Sequence, residues 1–257
     1  TDHRLLTTNL GSYFRRSLTI TMIIFVDNEH EVGYSRPWGQ YLMAARTRIK
    51  YRLEDITGDD CLMVRYNKFS RELMEKYDAR AVFVSGNSAE PQYYDLADKQ
   101  QLYEIIRRQE IPFFGFCGGF QLMGEAYEVP MEKMGYIEPP EYDEIGQRKP
   151  IREFGYEKID VVTDHPVLEG LGNEPIVRHA HRFELKELPP DFDLLASTEL
   201  CKIQLIAHKT LPIVGAQFHP EYYTDEHPAG RIMIENFCKL ADRKSTRLNS
   251  SHDQISY

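Results

Sequence analysis

Short apolar runs alternate with longer stretches of helical periodicity along most of the chain. The apolar runs end at polar or glycine-containing turns, as strands buried in a sheet do. They predict strands at Met22–Val26, Ile49–Leu53, Ala81–Val84, Ile111–Phe114, Lys158–Thr163, Pro175–Ala180, Leu194–Ser197, Lys202–Ala207 and Ile213–Phe218. Helices are predicted at Trp38–Arg48, Arg71–Tyr77, Leu96–Gln109, Phe120–Tyr127 and Gly230–Leu240. This alternation indicates the α/β class, with a mostly parallel central sheet and helices on both faces.

Size and charge narrow the range of functions. The 257 residues are enough for one α/β domain with a large buried core. A formal net charge of −9 argues against nucleic acid or an anionic membrane surface as the main partner. No apolar run approaches the ~20 residues that a membrane helix needs. We therefore expect neither nucleic acid nor a membrane among the partners.

The cysteines suggest a reducing compartment. They stand at positions 61, 117, 201 and 238, with no Cys-x-x-Cys pair and no zinc-like spacing. Free thiols of this kind persist in the cytoplasm, which is the expected location. Cys61, Cys201 and Cys238 lie among apolar neighbours and are expected to be small buried hydrophobic residues.

Both ends of the chain differ in composition from the middle. Residues 1–21 are rich in basic and hydroxyl residues, which predicts a disordered leader: an organellar transit peptide or an unrelated upstream extension. Met22 opens the first strand, so residues 22–243 are predicted to form the domain. Residues 244–257 resemble appended adapter sequence, and we expect them to be a disordered tail.

The segment around Cys117 carries the strongest chemical signal. The strand Ile111–Phe114 runs into the turn Gly115–Gly119, and a helix follows from Phe120. This is the strand–turn–helix context of a nucleophile elbow, with sulfur in place of the serine oxygen. The helix start places amide N–H groups and a positive dipole end beside the sulfur, and both favour the thiolate.

A base and a carboxylate follow a later strand. The run Ile213–Phe218 leads into His219, Pro220 and Glu221. Residues i and i+2 of an extended chain point the same way, and Pro220 biases His219 toward that conformation. His219 and Glu221 are therefore expected to lie side by side at a strand end, as a base and its orienting carboxylate. The order Cys, His, Glu disfavours the α/β-hydrolase fold, where the acid precedes the histidine.

These two motifs closely resemble those of the class I (triad) glutamine amidotransferase family. Gly115–Gln121 matches the family pattern Gly-x-Cys-x-Gly-x-Gln, and Gly215–Glu221 matches Gly-x-Gln-Phe-His-Pro-Glu. The resemblance covers roughly residues 22–242 and implies a flavodoxin-like α/β fold. It also implies catalytic roles for Cys117, His219 and Glu221.

The oxyanion loop departs from the family pattern. After the strand Ala81–Val84, the family usually has Ser-Gly-Gly-Pro, whereas this chain has Asn87 and Ser88 at the last two positions. The resemblance implies that the backbone N–H groups of Asn87 and Gly118 form the oxyanion hole. Asparagine tolerates left-handed backbone better than most residues, so the geometry is expected to survive. An ordinary polar loop is the alternative.

Further substrate contacts are implied by the resemblance at Gly86, Gln121 and His181. Packing or capping is the alternative for Gln121, and plain strand packing is the alternative for His181. His179 and His181 would face the same way on a strand, which is one feature of metal sites. No cysteine or carboxylate cluster completes a metal shell in the sequence, so neither a metal nor another cofactor is predicted. Residues 130–153 are interpreted as a solvated loop, or alternatively as a surface that meets a partner or covers the site.

The resemblance implies a glutaminase that attacks the glutamine side-chain amide and forms a cysteinyl thioester. This stretch of chain carries no synthase domain, so the ammonia is expected to pass to a separate synthase subunit. A stand-alone γ-glutamyl peptide hydrolase with the same triad is the alternative. A non-catalytic regulatory domain is a third hypothesis, which the complete triad disfavours.

Overall fold

A computed structural model describes residues 22–144 and 146–252 of the chain, with residues 243–252 as backbone only. Its centre is an eight-stranded sheet with the strand order β2-β1-β3-β4-β12-β11-β10-β7. The first five strands in this order are parallel, and the last three run antiparallel to their neighbours. The strands are β1 (Met22–Asp27), β2 (Asp60–Arg65), β3 (Ala79–Val84), β4 (Phe113–Phe116), β7 (Asp160–Val161), β10 (Phe192–Ser197), β11 (Leu205–His208) and β12 (Ile213–Ala216).

Helices cover both faces of this sheet, as the alternating pattern predicted. They are α1 (Glu31–Tyr34), α2 (Gly39–Thr57), α3 (Arg71–Lys76), α4 (Leu96–Arg108), α5 (Gly118–Ala126) and α6 (Ala229–His252). Successive residues of a strand point to opposite faces, so Phe25 packs with α2 and α6 while Val26 packs with α4 and α5. The predicted α/β class with a mostly parallel sheet is confirmed.

One predicted strand is wrong. Ile49–Leu53 lies inside α2, and the second strand of the chain is β2, Asp60–Arg65. Ile49 and Leu53 are four residues apart, so on a helix they share the face that is buried against the sheet. β2 is an edge strand, and its apolar run, Cys61–Val64, is only four residues long. A run this short cannot be assigned to a strand or a helix by periodicity alone, so β2 was missed.

The last helix extends beyond its predicted end. We expected a helix ending at Leu240 and disorder from residue 244, whereas α6 has helical backbone as far as His252. Residues 241–252 contain neither glycine nor proline, so nothing in this stretch stops a helix. Residues 1–21 and 253–257, for which disorder was also expected, lie outside the described residues.

Two small antiparallel sheets lie beside the central one. One pairs β5 (Met131–Lys133) with β9 (Phe183–Leu185), and the other pairs β6 (Glu153–Lys158) with β8 (Ile176–His181). Residues 133–150 connect the two and are mostly exposed, with bridges at Tyr136–Pro150 and Tyr142–Arg148. Within the described residues, no helix has the length and apolar character needed to cross a membrane.

Candidate active site

The candidate site lies where the parallel strands of the central sheet end, on the side of their carboxyl ends. β1, β3, β4 and β12 are parallel, so their carboxyl ends meet at the same edge, where α/β folds place their ligands. The loops after these strands bring together residues that are far apart in sequence. Gly86 shows how close they are: a Cβ added there would lie 3.3 Å from the Cβ of Cys117 and 2.7 Å from the Cε1 of His219.

Cys117 occupies a strained turn, as the elbow pattern predicted. Its φ is 47° and its ψ is −99°, in a region that residues with a side chain rarely adopt. The Cys117 N–H donates to the carbonyl of Ala216 at 2.7 Å, and α5 begins at the next residue. A Cβ on Gly119 would lie 2.4 Å from the carbonyl oxygen of Val84, so the helix could not approach β3 this closely with any other residue there.

His219 and Glu221 form the expected pair, but on a different backbone. β12 ends at Ala216, and Glu221 lies in a short 3₁₀ turn, Pro220–Tyr222, rather than in extended chain. The turn still brings the Nδ1 of His219 to 2.8 Å from a carboxylate oxygen of Glu221, which is almost fully buried. Burial alone would lower the pKa of His219, but the charges of Glu221 and Cys117 and their hydrogen bonds to the ring raise it to about 10.

The oxyanion loop brings Asn87 against Gly118, with a backbone conformation that differs from the expectation. Asn87 is not among the described residues with positive φ, so no left-handed backbone is needed there. A Cβ on Gly118 would lie 2.9 Å from the backbone N and 1.8 Å from the Oδ1 of Asn87. The two proposed donors are therefore adjacent, and only glycine fits at position 118.

Two buried charged residues that the sequence analysis missed hold this loop. Glu29 accepts hydrogen bonds from the N–H groups of Ser88 at 2.7 Å and Ala89 at 3.1 Å. Arg46 donates to the carbonyl of Gly86 at 2.7 Å and to the carboxylate of Asp27 at 2.9 Å. Arg46 could have been found from its spacing, because it shares the apolar face of α2 with Ile49 and Leu53.

Glutamine side chains connect the nucleophile to the neighbouring small sheet. Gln217 Nε2 lies 3.7 Å from the sulfur of Cys117, within the range of a hydrogen bond to sulfur. Gln121 Nε2 lies 3.3 Å from Gln217 Oε1 and 3.4 Å from the carbonyl of Phe183. Gln217 stands in the second motif, but the sequence alone does not show that its side chain contacts the Cys117 sulfur. Gln217 was therefore missed as a site residue.

His181 meets this chain of contacts only at the Phe183 carbonyl. Its Nδ1 lies 3.2 Å from the Phe183 carbonyl, and its Nε2 lies 2.8 Å from a carboxylate oxygen of Glu153. Glu153 also lies near His179, so the carboxylate that the sequence lacked beside these histidines comes from a distant segment. Glu153 and His181 line a cleft of about 810 Å³ between residues 133–154 and the end of β8, and Cys117 is not part of its lining.

Comparison with known proteins agrees with this geometry. The model of the family described as "Glutamine amidotransferase class-I" matches residues 47–240. The chain is 26% identical to the glutamine-hydrolysing GMP synthase subunit of Methanocaldococcus jannaschii, over 87% of this chain and 99% of that protein. It is 32% identical to the protein of the same description from Pyrococcus abyssi, over 63% of this chain and 79% of that protein.

Solved structures show the same fold. A Thermoplasma acidophilum protein, described as a candidate subunit of GMP synthase, superimposes with a TM-score of 0.66 at 24% identity, covering 89% of this chain and 98% of that one. A glutamine amidotransferase of Thermotoga maritima gives a TM-score of 0.53 at 19% identity, covering 89% of this chain and 94% of that one.

Proposed function

The chain belongs to the class I glutamine amidotransferase family, and we propose that it is the glutamine-hydrolysing component that supplies ammonia to a separate GMP synthase subunit. One observation carries the catalytic part of the proposal: the strained Cys117 elbow stands beside a buried, hydrogen-bonded His219–Glu221 pair. The descriptions of the archaeal relatives support the choice of partner.

The proposed reaction begins when Cys117 gives its thiol proton to His219 and its sulfur attacks the side-chain amide carbon of glutamine. The N–H groups of Gly118 and Asn87 stabilise the oxyanion that forms. His219 donates a proton to the departing nitrogen, so the C–N bond breaks as ammonia leaves and a C–S thioester remains. His219 then takes a proton from water, whose oxygen attacks the thioester, releases glutamate and restores the thiol. Glu221 holds the His219 ring in the productive orientation.

We propose supporting roles for three further residues. Gly86 leaves the space in which His219 and Cys117 approach each other. Gln121 positions the substrate through its contact with Gln217, which reaches the sulfur. His181 acts on the substrate only indirectly, because it hydrogen-bonds the Phe183 carbonyl that Gln121 also contacts. Residues 22–243 are the proposed catalytic domain, and the cytoplasm, which keeps free thiols reduced, is the proposed location.

The burial of the nucleophile supports a partner-dependent enzyme. Cys117 is 5% exposed, and the His219 side chain is 11% exposed. Docking of the synthase would then complete or open the site, so the purified chain should hydrolyse free glutamine slowly. A stand-alone γ-glutamyl hydrolase has no such requirement. Steady-state kinetics on glutamine and on γ-glutamyl peptides separate the two. A kcat/KM for a peptide a hundredfold above that for glutamine, about 2.7 kcal/mol of transition-state preference, would favour the hydrolase.

A coupled assay tests the partner directly. The chain is mixed with the GMP synthase subunit encoded in the same genome, and GMP formation is measured with either glutamine or an ammonium salt as nitrogen source. We expect both sources to work with the unmodified chain. The Cys117→Ala variant should abolish the glutamine-dependent reaction and leave the ammonium-dependent one unchanged. If glutamine is hydrolysed but never supports GMP formation, the proposed partner is wrong while the glutaminase assignment stands.

A further inference from the structure

A half-buried carboxylate and two buried histidines meet on the small sheet formed by β6 and β8. Glu153 pairs with His181 across the sheet, and His179 lies two residues before His181, so all three are on one face. Each residue offers one ligand atom: a ring nitrogen from each histidine and a carboxylate oxygen from Glu153. These three atoms lie within 4.8 Å of one another. The same oxygen, Oε2 of Glu153, is 2.8 Å from His181 Nε2 and 3.5 Å from His179 Nδ1.

The hydrogen-bonding of His181 leaves a conflict that a bound cation resolves. A carbonyl oxygen can only accept, so the Nδ1 of His181 carries the proton that it directs to Phe183. In the neutral ring, Nε2 then presents a lone pair toward the Glu153 carboxylate at 2.8 Å. Two acceptors at this distance repel each other unless a proton or a metal ion lies between them.

The surroundings of His179 are better explained by a bound metal ion than by an extra proton on His181. Its ring is fully buried, and neither ring nitrogen makes a hydrogen bond among the residues that the structure describes. Buried polar atoms without partners are rare in folded proteins. One extra proton on His181 would satisfy neither nitrogen of His179, whereas one ion at the Glu153 oxygen could bind both rings.

We propose that Glu153, His179 and His181 form a binding site for a divalent transition metal, of which Zn²⁺ fits best. Two imidazoles and one carboxylate are a frequent zinc ligand set, with water as the fourth ligand. The surroundings match the usual outer shell: the Phe183 carbonyl orients His181, and Thr198 donates to the other oxygen of Glu153 at 2.6 Å. The cleft lined by Glu153 and His181 offers an entry path and room for the water.

The site would brace the segment that carries the catalytic base. The carbonyl of Arg178, next to His179, accepts the backbone N–H of His219 at 2.8 Å. The ring of His179 also lies 6.0 Å from that of Phe218, beside the base. A metal here would tie β6 to β8 behind His219, and its role would be structural because it contacts none of the proposed reacting atoms.

Metal binding by the full chain tests this proposal. Protein stripped with a chelator is titrated with Co²⁺, whose visible absorption reports coordination by nitrogen, and then with Zn²⁺ in competition. We expect one equivalent to bind and Zn²⁺ to raise the melting temperature. Glu153→Gln and His181→Gln should each weaken binding at least a hundredfold. The matched control is His227→Gln, which removes a histidine outside the cluster and should leave the affinity unchanged.

Two results would overturn the site. One is the absence of saturable binding at equimolar metal. The other is equal affinity in the control and in the cluster variants. If the cluster variants do not fold, X-ray absorption of the Co²⁺-loaded unmodified chain decides: two imidazoles and one carboxylate support the site, and any other ligand set rejects it. Failure here would identify the cluster as a proton-bridged His181–Glu153 pair and would leave the glutaminase proposal intact.

Discussion

At the scale of single residues, the four thiols of the chain differ in what surrounds them. Burial raises the pKa of Cys61 and of Cys238 to about 12, and burial likewise raises the pKa of Cys201. All three are therefore protonated and unreactive near neutral pH. Cys117 instead stands at the start of α5, close enough to His219 for its charge to raise the pKa of that ring. The environment of the Cys117 sulfur therefore differs from that of the other three thiols.

Covalent labelling should report this difference. A diazo-ketone analogue of glutamine should modify Cys117 and inactivate the enzyme with one label per chain, because this is the thiol that lies beside His219. Mass spectrometry of proteolytic fragments gives the position. The Cys117→Ser variant is the control and should take up almost no label. Label found mainly on Cys61, Cys201 or Cys238 would contradict the assignment of the nucleophile.

The pKa of His219 predicts a pH dependence of stability. The folded value of about 10 lies above the ordinary value of 6.5, so the folded state holds this proton more tightly than the unfolded chain does. The resulting stability is fully present below pH 6.5 and is lost as the pH rises through 10. Glu221→Gln removes the main charge that raises the pKa, so its free energy of unfolding should fall less over this range. Denaturant unfolding of both proteins between pH 6 and pH 10.5 measures the difference, and parallel curves would reject the assigned role of Glu221.

The residues predictable from sequence were those in short contiguous motifs. Cys117, His219 and Glu221 each stand in a local pattern whose geometry follows from a turn or a two-residue spacing. The contacts of Glu29, Arg46 and Glu153 could not be predicted, because each is made with a segment more than 20 residues away. Their partners are set by the order of the strands, which periodicity alone does not specify.

At the scale of elements, the loops after β1 and β3 act as one unit. Glu29 follows β1 and accepts the N–H groups of Ser88 and Ala89, which follow β3. Ser88 stands where the family usually has proline, which has no N–H to donate. The departure at Ser88 therefore makes its hydrogen bond to Glu29 possible, and this bond replaces the rigidity that proline would give to the oxyanion loop.

Glu29→Gln tests this coupling of the two loops. Glutamine has nearly the same shape but accepts more weakly than a carboxylate, so Asn87 should be held less firmly at the oxyanion. A loss of one charge-assisted interaction, roughly 1.5 kcal/mol, corresponds to about a tenfold lower kcat. We expect kcat and kcat/KM to fall together, since the contact matters in the transition state. Glu31→Gln, an exposed carboxylate two residues away, is the control and should change neither. A rise in KM at constant kcat would contradict a role in the oxyanion loop.

At the scale of the whole molecule, one long helix closes the core on the face that α2 also covers. Met233, Ile234 and Phe237 of α6 are almost fully buried, and Ala241 is the last residue of the helix with a described buried side chain. Arg80 joins the same end of the helix to the loop before β2, with ion pairs to Asp59 at 3.0 Å and Asp242 at 3.3 Å. The sequence predicted this helix from its apolar spacing but not its length, because a helix without a stop signal continues past the residues that it buries.

Truncation at two points of α6 measures where its contribution to stability ends. Removing residues 244–257 should shift the melting temperature by less than about 2 °C and leave activity unchanged, since surface segments contribute within about 0.5 kcal/mol. Removing residues 237–257 instead deletes Phe237, whose loss from a core costs roughly 3–5 kcal/mol, together with the ion pair of Asp242. This second deletion should lower the melting temperature sharply or prevent folding. Calorimetry on both variants gives the comparison. A drop of several degrees in the first would mean that residues 244–257 pack on the domain and that its boundary lies beyond residue 243.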